Sequence, residues 1–274
     1  MPTLSLDDGA LHYATAGDGP PLVFVHGGWM DGQAWRPQVD RFADEYRVVT
    51  LDVRGHGRTG ATDRRRYSVE LFSEDLDRLL AHLEIERPTV VGLSLGSMVL
   101  QEFLHRYPER LHAAVLAGPV RSMPPLEMPG CTKQLLSPGP ALATSLSLAG
   151  QQATFRSMLA SIRATTGRPW LAVDPTVRAA AIEGVADVSR REYRKVFGAL
   201  YRYDPPALDG LDTPTLTVYG DHEAPLVKRQ ANAIVDAVDG DRIEVPDAGH
   251  LVNLDRSAAF NRILSTYLDR IGAS

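Results

Sequence analysis

Short apolar runs alternate along the chain with longer segments of helical periodicity. Six runs of three to five residues have the length and composition of buried strands: residues 22–25, 48–51, 89–91, 113–117, 215–219 and 242–245. Two longer segments, residues 71–83 and 258–271, place apolar side chains on one helical face. A third, residues 97–107, begins directly after a glycine and ends at Pro108, as a helix should. This alternation predicts an α/β fold with a mainly parallel central sheet flanked by helices.

The stretch from residue 121 to residue 206 interrupts the alternation. It opens with several prolines and then becomes Ala-rich and helical, with no clear strand. We therefore predict that residues 1–120 and 207–274 form the core domain and that residues 121–206 form an inserted helical cap.

Composition narrows the class of protein further. The 274 residues are 44% hydrophobic and 23% charged, the proportions of a globular protein, and the net charge of −5 argues against nucleic acid or an anionic membrane surface as a partner. The single cysteine, Cys131, excludes an internal disulfide and a Cys-rich zinc site. The N-terminus lacks the pattern of a signal peptide and no run of 18 apolar residues occurs, so we expect a cytoplasmic protein.

A nucleophile motif follows the third apolar run. Gly92-Leu93-Ser94-Leu95-Gly96 has the Gly-x-Ser-x-Gly pattern and lies between a predicted strand and a predicted helix. A serine on such a sharp turn has a strained backbone, and the residues two positions before and after it must be small. The pattern predicts that Ser94 is a nucleophile and that the Leu95 N–H, at the start of a helix, faces a developing oxyanion.

A serine needs a base, and the base needs an anion to orient it. His250 follows the last predicted strand, where a parallel sheet would bring it to the same edge as Ser94. Asp221 and Glu223 follow the preceding strand, and the chain order serine, acid, histidine admits either as the acid. A metal site formed by this acidic segment is disfavoured because no second ligand pair has a recognisable spacing.

The loop after the first core strand, His26-Gly27-Gly28-Trp29, supplies a second candidate oxyanion donor. Glycine lets the backbone approach a substrate, so the Gly28 N–H is predicted to act together with the Leu95 N–H. His26 is assigned an orienting role within this loop.

Five motifs, spread in order over residues 17–253, resemble the α/β-hydrolase superfamily, and within it the cofactor-free serine esterases, enol-lactonases and haloperoxidase-like enzymes. The motifs are residues 17–28, 52–58, 92–96, 220–223 and 249–253. The resemblance implies Ser94 as nucleophile, His250 as base, no cofactor, and a structural turn at residues 52–57. Members of this superfamily usually carry the acid as Asp three residues after the strand-end glycine. That position is Glu223 here, which makes Glu223 the first choice and Asp221 the reserve.

These features predict a serine hydrolase that cleaves a carboxylic ester, lactone or thioester through an acyl-enzyme on Ser94. Two alternatives stay open: a lyase or biosynthetic catalyst that uses the same Ser and His for proton transfer, and a ligand receptor on the hydrolase fold. The expected partner is a small molecule with an apolar acyl group. Its pocket is predicted to be lined by Trp29, Met123, Met128, Phe155, Met158 and Trp170.

Overall fold

Eight strands form one twisted sheet in the computed structural model, which describes residues 2–123, 132–133 and 137–273. The strands are β1 (Thr3–Leu6), β2 (Gly9–Ala16), β3 (Pro21–Val25), β4 (Arg47–Leu51), β5 (Thr89–Leu93), β6 (Ala113–Ala117), β7 (Thr215–Gly220) and β8 (Asp241–Val245). Their order across the sheet is β1-β2-β4-β3-β5-β6-β7-β8. The β1–β2 and β2–β4 pairs are antiparallel and every other pair is parallel, which confirms the predicted mainly parallel sheet.

Helices pack around this sheet, as the alternating pattern predicts. In the described part of the chain they are α1 (Arg36–Phe42), α2 (Val69–His82), α3 (Leu95–Arg106), α4 (Gly139–Leu148), α5 (Gly150–Thr166), α6 (Pro175–Gly184), α7 (Arg190–Arg202), α8 (Pro225–Val238), α9 (Val252–Asp255) and α10 (Ser257–Arg270). Ten of the twelve residues of α3 are buried, because this helix packs on β5 and β6 and also against α2. None of the helices in the described ranges is long and apolar enough to span a bilayer.

The N-terminal hairpin is an element that the apolar pattern does not predict. The sequence of β1 lacks the continuous apolar run of a central strand, and every residue of β1 is exposed or half-buried in the structure. His12 lies in the second strand of this hairpin, β2, and is buried. This hairpin forms one edge of the sheet, where β2 pairs with β4.

Helices α4 to α7 account for most of the described residues between 121 and 206, and no strand occurs among those described residues. The helical content agrees with the expected insertion, while the division into a core domain and a cap stays a prediction. Met128 and Cys131 lie outside the described residues.

Parallel pairing brings the loops of the predicted site to one edge of the sheet. Val25 at the end of β3 pairs with Gly92 near the end of β5, and Gly220 at the end of β7 pairs with Val245 at the end of β8. Ligands of α/β folds bind outside the carboxyl ends of the strands, where these loops meet.

Candidate active site

Ser94 occupies a sharp turn between β5 and α3. Its φ of 52° and ψ of −107° lie outside the regions that non-glycine residues usually adopt. A Cβ atom at Gly92 would lie 2.3 Å from the Gly96 carbonyl oxygen, and one at Gly96 would lie 2.1 Å from the Val25 carbonyl oxygen. Only glycine fits at both positions, so the turn that lifts the Ser94 hydroxyl from the sheet depends on the two glycines of the motif.

The structure brings Ser94, His250 and Glu223 into one hydrogen-bonded chain. His250 Nε2 lies 2.8 Å from Ser94 Oγ, and His250 Nδ1 lies 2.6 Å from Glu223 Oε2. An ionised carboxylate can only accept, so Nδ1 carries the proton and donates to Glu223. Nε2 is then the acceptor of the Ser94 hydroxyl proton, which is the arrangement required of a general base.

The two candidate acids have different partners. Glu223 is 3% exposed, and besides His250 it accepts hydrogen bonds at Oε1 from its neighbour's backbone, Ala224 N–H, at 2.9 Å and from the Trp170 indole N–H. The reserve candidate, Asp221, accepts the Ala248 N–H at 3.1 Å through Oδ1. Asp221 is therefore the turn residue of this segment, because its carboxylate binds the backbone of the histidine loop instead of the imidazole.

The two predicted oxyanion donors lie next to each other. A Cβ atom at Gly28 would lie 3.9 Å from the Leu95 Cβ, so the loop after β3 directly adjoins the start of α3. Within the described residues, neither the Gly28 nor the Leu95 N–H donates to a protein acceptor. Both lie at the cavity described below, Gly28 in its lining and Leu95 beside Ser94 at the helix N-terminus, where the backbone dipoles favour negative charge.

Two buried histidines hold the loop that contains Gly28. His26 Nε2 accepts the Val53 N–H at 2.9 Å and His26 Nδ1 donates to the Gly27 carbonyl at 2.7 Å. His56 Nε2 accepts the Trp29 N–H at 2.9 Å.

Burial lowers the pKa of both histidines, and the adjacent His26 helps to lower the pKa of His56 to about 3. They are neutral at pH 7. The expected orienting role of His26 agrees with these contacts, whereas the part of His56 in the same loop was not predicted.

A largely apolar cavity of about 680 Å³ opens onto Ser94 and His250. The five described members of the predicted pocket all line it: Trp29, Met123, Phe155, Met158 and Trp170. The sixth, Met128, is outside the described residues. Trp29 has a φ of 60° and stacks on Tyr193 of α7 at a centroid distance of 4.6 Å, which fixes one wall of the cavity.

No group of three or more His, Cys, Asp or Glu side chains in the described ranges is arranged to hold a metal ion. The acidic segment after β7 instead divides its contacts between His250, the backbone of the histidine loop and Trp170.

The profile of the alpha/beta hydrolase fold family matches residues 20–257, which is most of the chain. The chain belongs to this family. The match begins just before β3 and ends at the start of α10, so it contains all the loops that carry the candidate site.

Relatives over the full length include proteins with different reactions in their names. The 3-oxoadipate enol-lactonase 2 of Acinetobacter baylyi is 25% identical, with 98% of this chain and 96% of the relative covered. A putative 2-succinyl-6-hydroxy-2,4-cyclohexadiene-1-carboxylate synthase of Bacillus subtilis is 26% identical, with 98% of each covered. Among solved structures, the enol-lactonase of Burkholderia xenovorans superposes with a TM-score of 0.80 at 22% identity, covering 98% of this chain and all (100%) of that one, and at this identity it shows the fold alone.

Trp170 is the site residue whose role the sequence did not reveal. It was predicted only as a pocket wall, yet its indole N–H donates to Glu223 and its ring stacks on His250 at a centroid distance of 4.4 Å. No local sequence pattern around Trp170 indicates a partner 53 residues downstream.

Proposed function

We propose that the protein is a serine hydrolase that cleaves carboxylic esters or lactones, thioesters included, through an acyl-enzyme on Ser94. The observation that carries the proposal is the chain of hydrogen bonds from Ser94 Oγ through both nitrogens of His250 to Glu223, with distances of 2.8 and 2.6 Å. Full-length similarity to an enol-lactonase supports the same class of reaction.

In the first half-reaction, Ser94 Oγ attacks the substrate carbonyl carbon while its proton moves to His250 Nε2. Glu223 stabilises the resulting imidazolium through the Nδ1–H. The carbonyl oxygen becomes an oxyanion, and the Gly28 and Leu95 N–H groups, which have no protein acceptor in the described part of the chain, are available to bind it. When the carbon–oxygen or carbon–sulfur bond breaks, the imidazolium returns its proton to the leaving group and the acyl group remains on Ser94.

The second half-reaction repeats these steps with water as the nucleophile. His250 removes a proton from the water, the hydroxide adds to the acyl carbon, and Ser94 leaves with the proton from the imidazolium. The same donors stabilise the second oxyanion. The net result is an acid together with an alcohol from an ester, or an acid together with a thiol from a thioester. A lactone gives a single hydroxy acid.

The cavity supports a substrate with an apolar part of moderate size. Its volume of about 680 Å³ lies within the usual range for small-molecule sites, and aromatic rings and methionines form much of its wall. An acyl or alcohol portion that fills this space would transfer apolar surface out of water, which contributes about 25 cal/mol per Å² buried.

The expected cytoplasmic location stays a prediction.

The test begins with Ser94→Ala measured on p-nitrophenyl esters from acetate to butyrate and on a set of lactones. We expect the variant to lose at least about 10⁴-fold in kcat, because removing the nucleophile of a triad leaves only binding and the oxyanion donors. Ser73→Ala is the matched control, since Ser73 is a fully buried serine on α2 that lies outside the cavity lining. Wild-type turnover by the Ser94 variant would refute the proposal.

A fluorophosphonate probe separates hydrolysis from the alternative in which Ser94 and His250 only move protons. The similarity to the putative Bacillus subtilis synthase named above is the observation that favours this alternative. Hydrolysis through an acyl-enzyme requires that the probe label Ser94 and abolish activity at one label per chain. Activity that persists in fully labelled protein, or a catalytically active enzyme that resists labelling, would favour a lyase or biosynthetic reaction.

A further inference from the structure

Trp170 contacts both the candidate base and the candidate acid, although it belongs to the predicted cap region. We propose that Trp170 is a positioning residue that holds the Glu223–His250 pair in its working geometry. The inference rests on the proposed function, because it assigns a role within the same serine, histidine and glutamate chain.

The first contact fixes the carboxylate. The Trp170 indole N–H and the Ala224 N–H, the latter at 2.9 Å, both donate to Glu223 Oε1. Oε2 is left to accept the His250 Nδ1–H at 2.6 Å. A glutamate has one more rotatable bond than an aspartate, so its carboxylate needs additional donors to remain in one orientation, and Trp170 supplies one of them.

The second contact fixes the imidazole. The indole and imidazole rings are stacked with a centroid distance of 4.4 Å and an interplanar angle of 26°. Rotation of the imidazole about its Cβ–Cγ bond would tilt it into the indole, so the stacking favours the orientation in which Nε2 faces Ser94. His250 is 3% exposed and has little freedom to adopt another rotamer.

The third contact joins the two backbones. The His250 N–H donates to the Trp170 carbonyl at 2.8 Å, and the Leu251 N–H donates to the Leu171 carbonyl at 2.9 Å. Asp255 reinforces this junction, because its carboxylate accepts N–H groups on both sides, from Gly249 at 2.7 Å and from residues 173 and 174 at 2.7 and 2.8 Å. The indole therefore moves with the histidine loop, and a displacement of the 170–174 segment would displace the base.

The test is Trp170→Phe, which retains an aromatic ring against His250 and removes the N–H donor. We expect kcat to fall about tenfold to hundredfold while KM changes less than about threefold, because a Glu223 carboxylate without this donor no longer holds His250 in one orientation and small misplacements of a catalytic group cost up to about 100-fold. A Glu223 carboxylate with one donor fewer holds a protonated His250 more strongly. The acid limb of the kcat/KM profile should therefore move to higher pH, by about half a unit.

Trp35→Phe is the matched control for loss of a buried indole. Trp35 is fully buried, packs on Phe24 and Phe260, and is not part of the cavity lining. Its substitution should lower the melting temperature without moving kcat or the pH profile. If Trp170→Phe does not fold, Trp170→Tyr takes its place, since it also keeps a ring without the indole N–H.

A double-mutant cycle with Glu223→Gln shows whether Trp170 acts through the carboxylate. We expect the effect of Trp170→Phe on kcat to shrink by more than fivefold in the Glu223→Gln background, because the two residues work as one unit. Additive effects, an unchanged acid limb, or a change confined to KM would show that Trp170 is only a pocket wall and would overturn the inference. Failure of the proposed function is recognised separately, by wild-type turnover in Ser94→Ala.

Discussion

Replacing Glu223 by Gln changes a single oxygen of the site to an NH₂ group, and the structure fixes where that group must go. Oε1 receives two donors, the Trp170 indole N–H and the Ala224 N–H, so the amide oxygen of the Gln variant has to occupy this position. The NH₂ group then faces His250 Nδ1 in place of Oε2. Two donors cannot face each other, so Nδ1 must lose its proton and the imidazole must adopt the other tautomer.

This tautomer protonates Nε2, the nitrogen that lies 2.8 Å from Ser94 Oγ. A protonated Nε2 cannot accept the Ser94 proton, and the variant also lacks the anion that stabilises the imidazolium. In serine proteases the same change of acid to amide lowers kcat by about 10⁴-fold, and we expect a loss of about 10³- to 10⁴-fold here. Stability should change little, because an amide of nearly the same volume replaces the carboxylate.

The assay is steady-state hydrolysis of a p-nitrophenyl ester by Glu223→Gln and by Asp221→Asn, its matched control. Asp221 accepts only the Ala248 N–H in the contacts described above, and the amide oxygen of Asn can still accept that bond, so we expect kcat within about threefold of wild type. A Glu223→Gln enzyme that retains more than a tenth of its kcat, or a larger loss in Asp221→Asn, would refute the assignment of the acid.

Two further predictions concern the turn and the histidines that support the site. Gly96→Ala should lower the free energy of unfolding in urea by about 1–3 kcal/mol, because the new Cβ would lie 2.1 Å from the Val25 carbonyl oxygen. The control is Gly184→Ala, which should be neutral or slightly stabilising because nothing lies within 4 Å of the new Cβ. His56 has a pKa of about 3 in the folded protein against about 6.5 when unfolded, so below pH 6.5 the unfolded state binds the proton first and stability falls. This one group should remove about 2 kcal/mol of unfolding free energy between pH 6.5 and 5, and an equally steep acid dependence in His56→Gln would contradict the assignment.

Much of the site follows from the sequence because its parts depend on local backbone geometry. Gly92 is required by contacts within the strand–turn–helix unit and Gly96 by the close approach of β3, and the motif itself indicates which serine occupies the turn. The positions of His250 and Gly28 follow from one further rule, that parallel strands bring their carboxyl ends to one edge of the sheet. In the structure His250 Nε2 lies 2.8 Å from Ser94 Oγ, and Gly28 lines the same cavity as Ser94.

The remaining features depend on contacts between segments that are distant in sequence. Asp221 and Glu223 are both acidic and two residues apart, and only the path of the loop decides that one binds His250 while the other binds the Ala248 N–H. The partners of Trp170 arise in the same way, from contacts of the 170–174 segment with the histidine loop. The β1–β2 hairpin was not predicted for another reason, namely that its first strand, which is exposed or half-buried throughout, has no apolar run.

The backbone of the histidine loop is held by close contacts with two other segments of the chain. A Cβ atom at Gly220 would lie 2.0 Å from the Ala248 carbonyl oxygen, and one at Gly249 would lie 2.6 Å from the Trp170 carbonyl oxygen. The end of β7 and the 170–172 segment thus pack directly on the histidine loop, at distances that only glycine permits. The cavity-wall side chains of Met123 and Met158 take no part in these contacts, so we expect their substitution to reshape the cavity without moving His250. This difference gives a physical reason why one fold can serve many reactions: backbone contacts hold the histidine loop, while helices α5 to α7 supply much of the cavity wall.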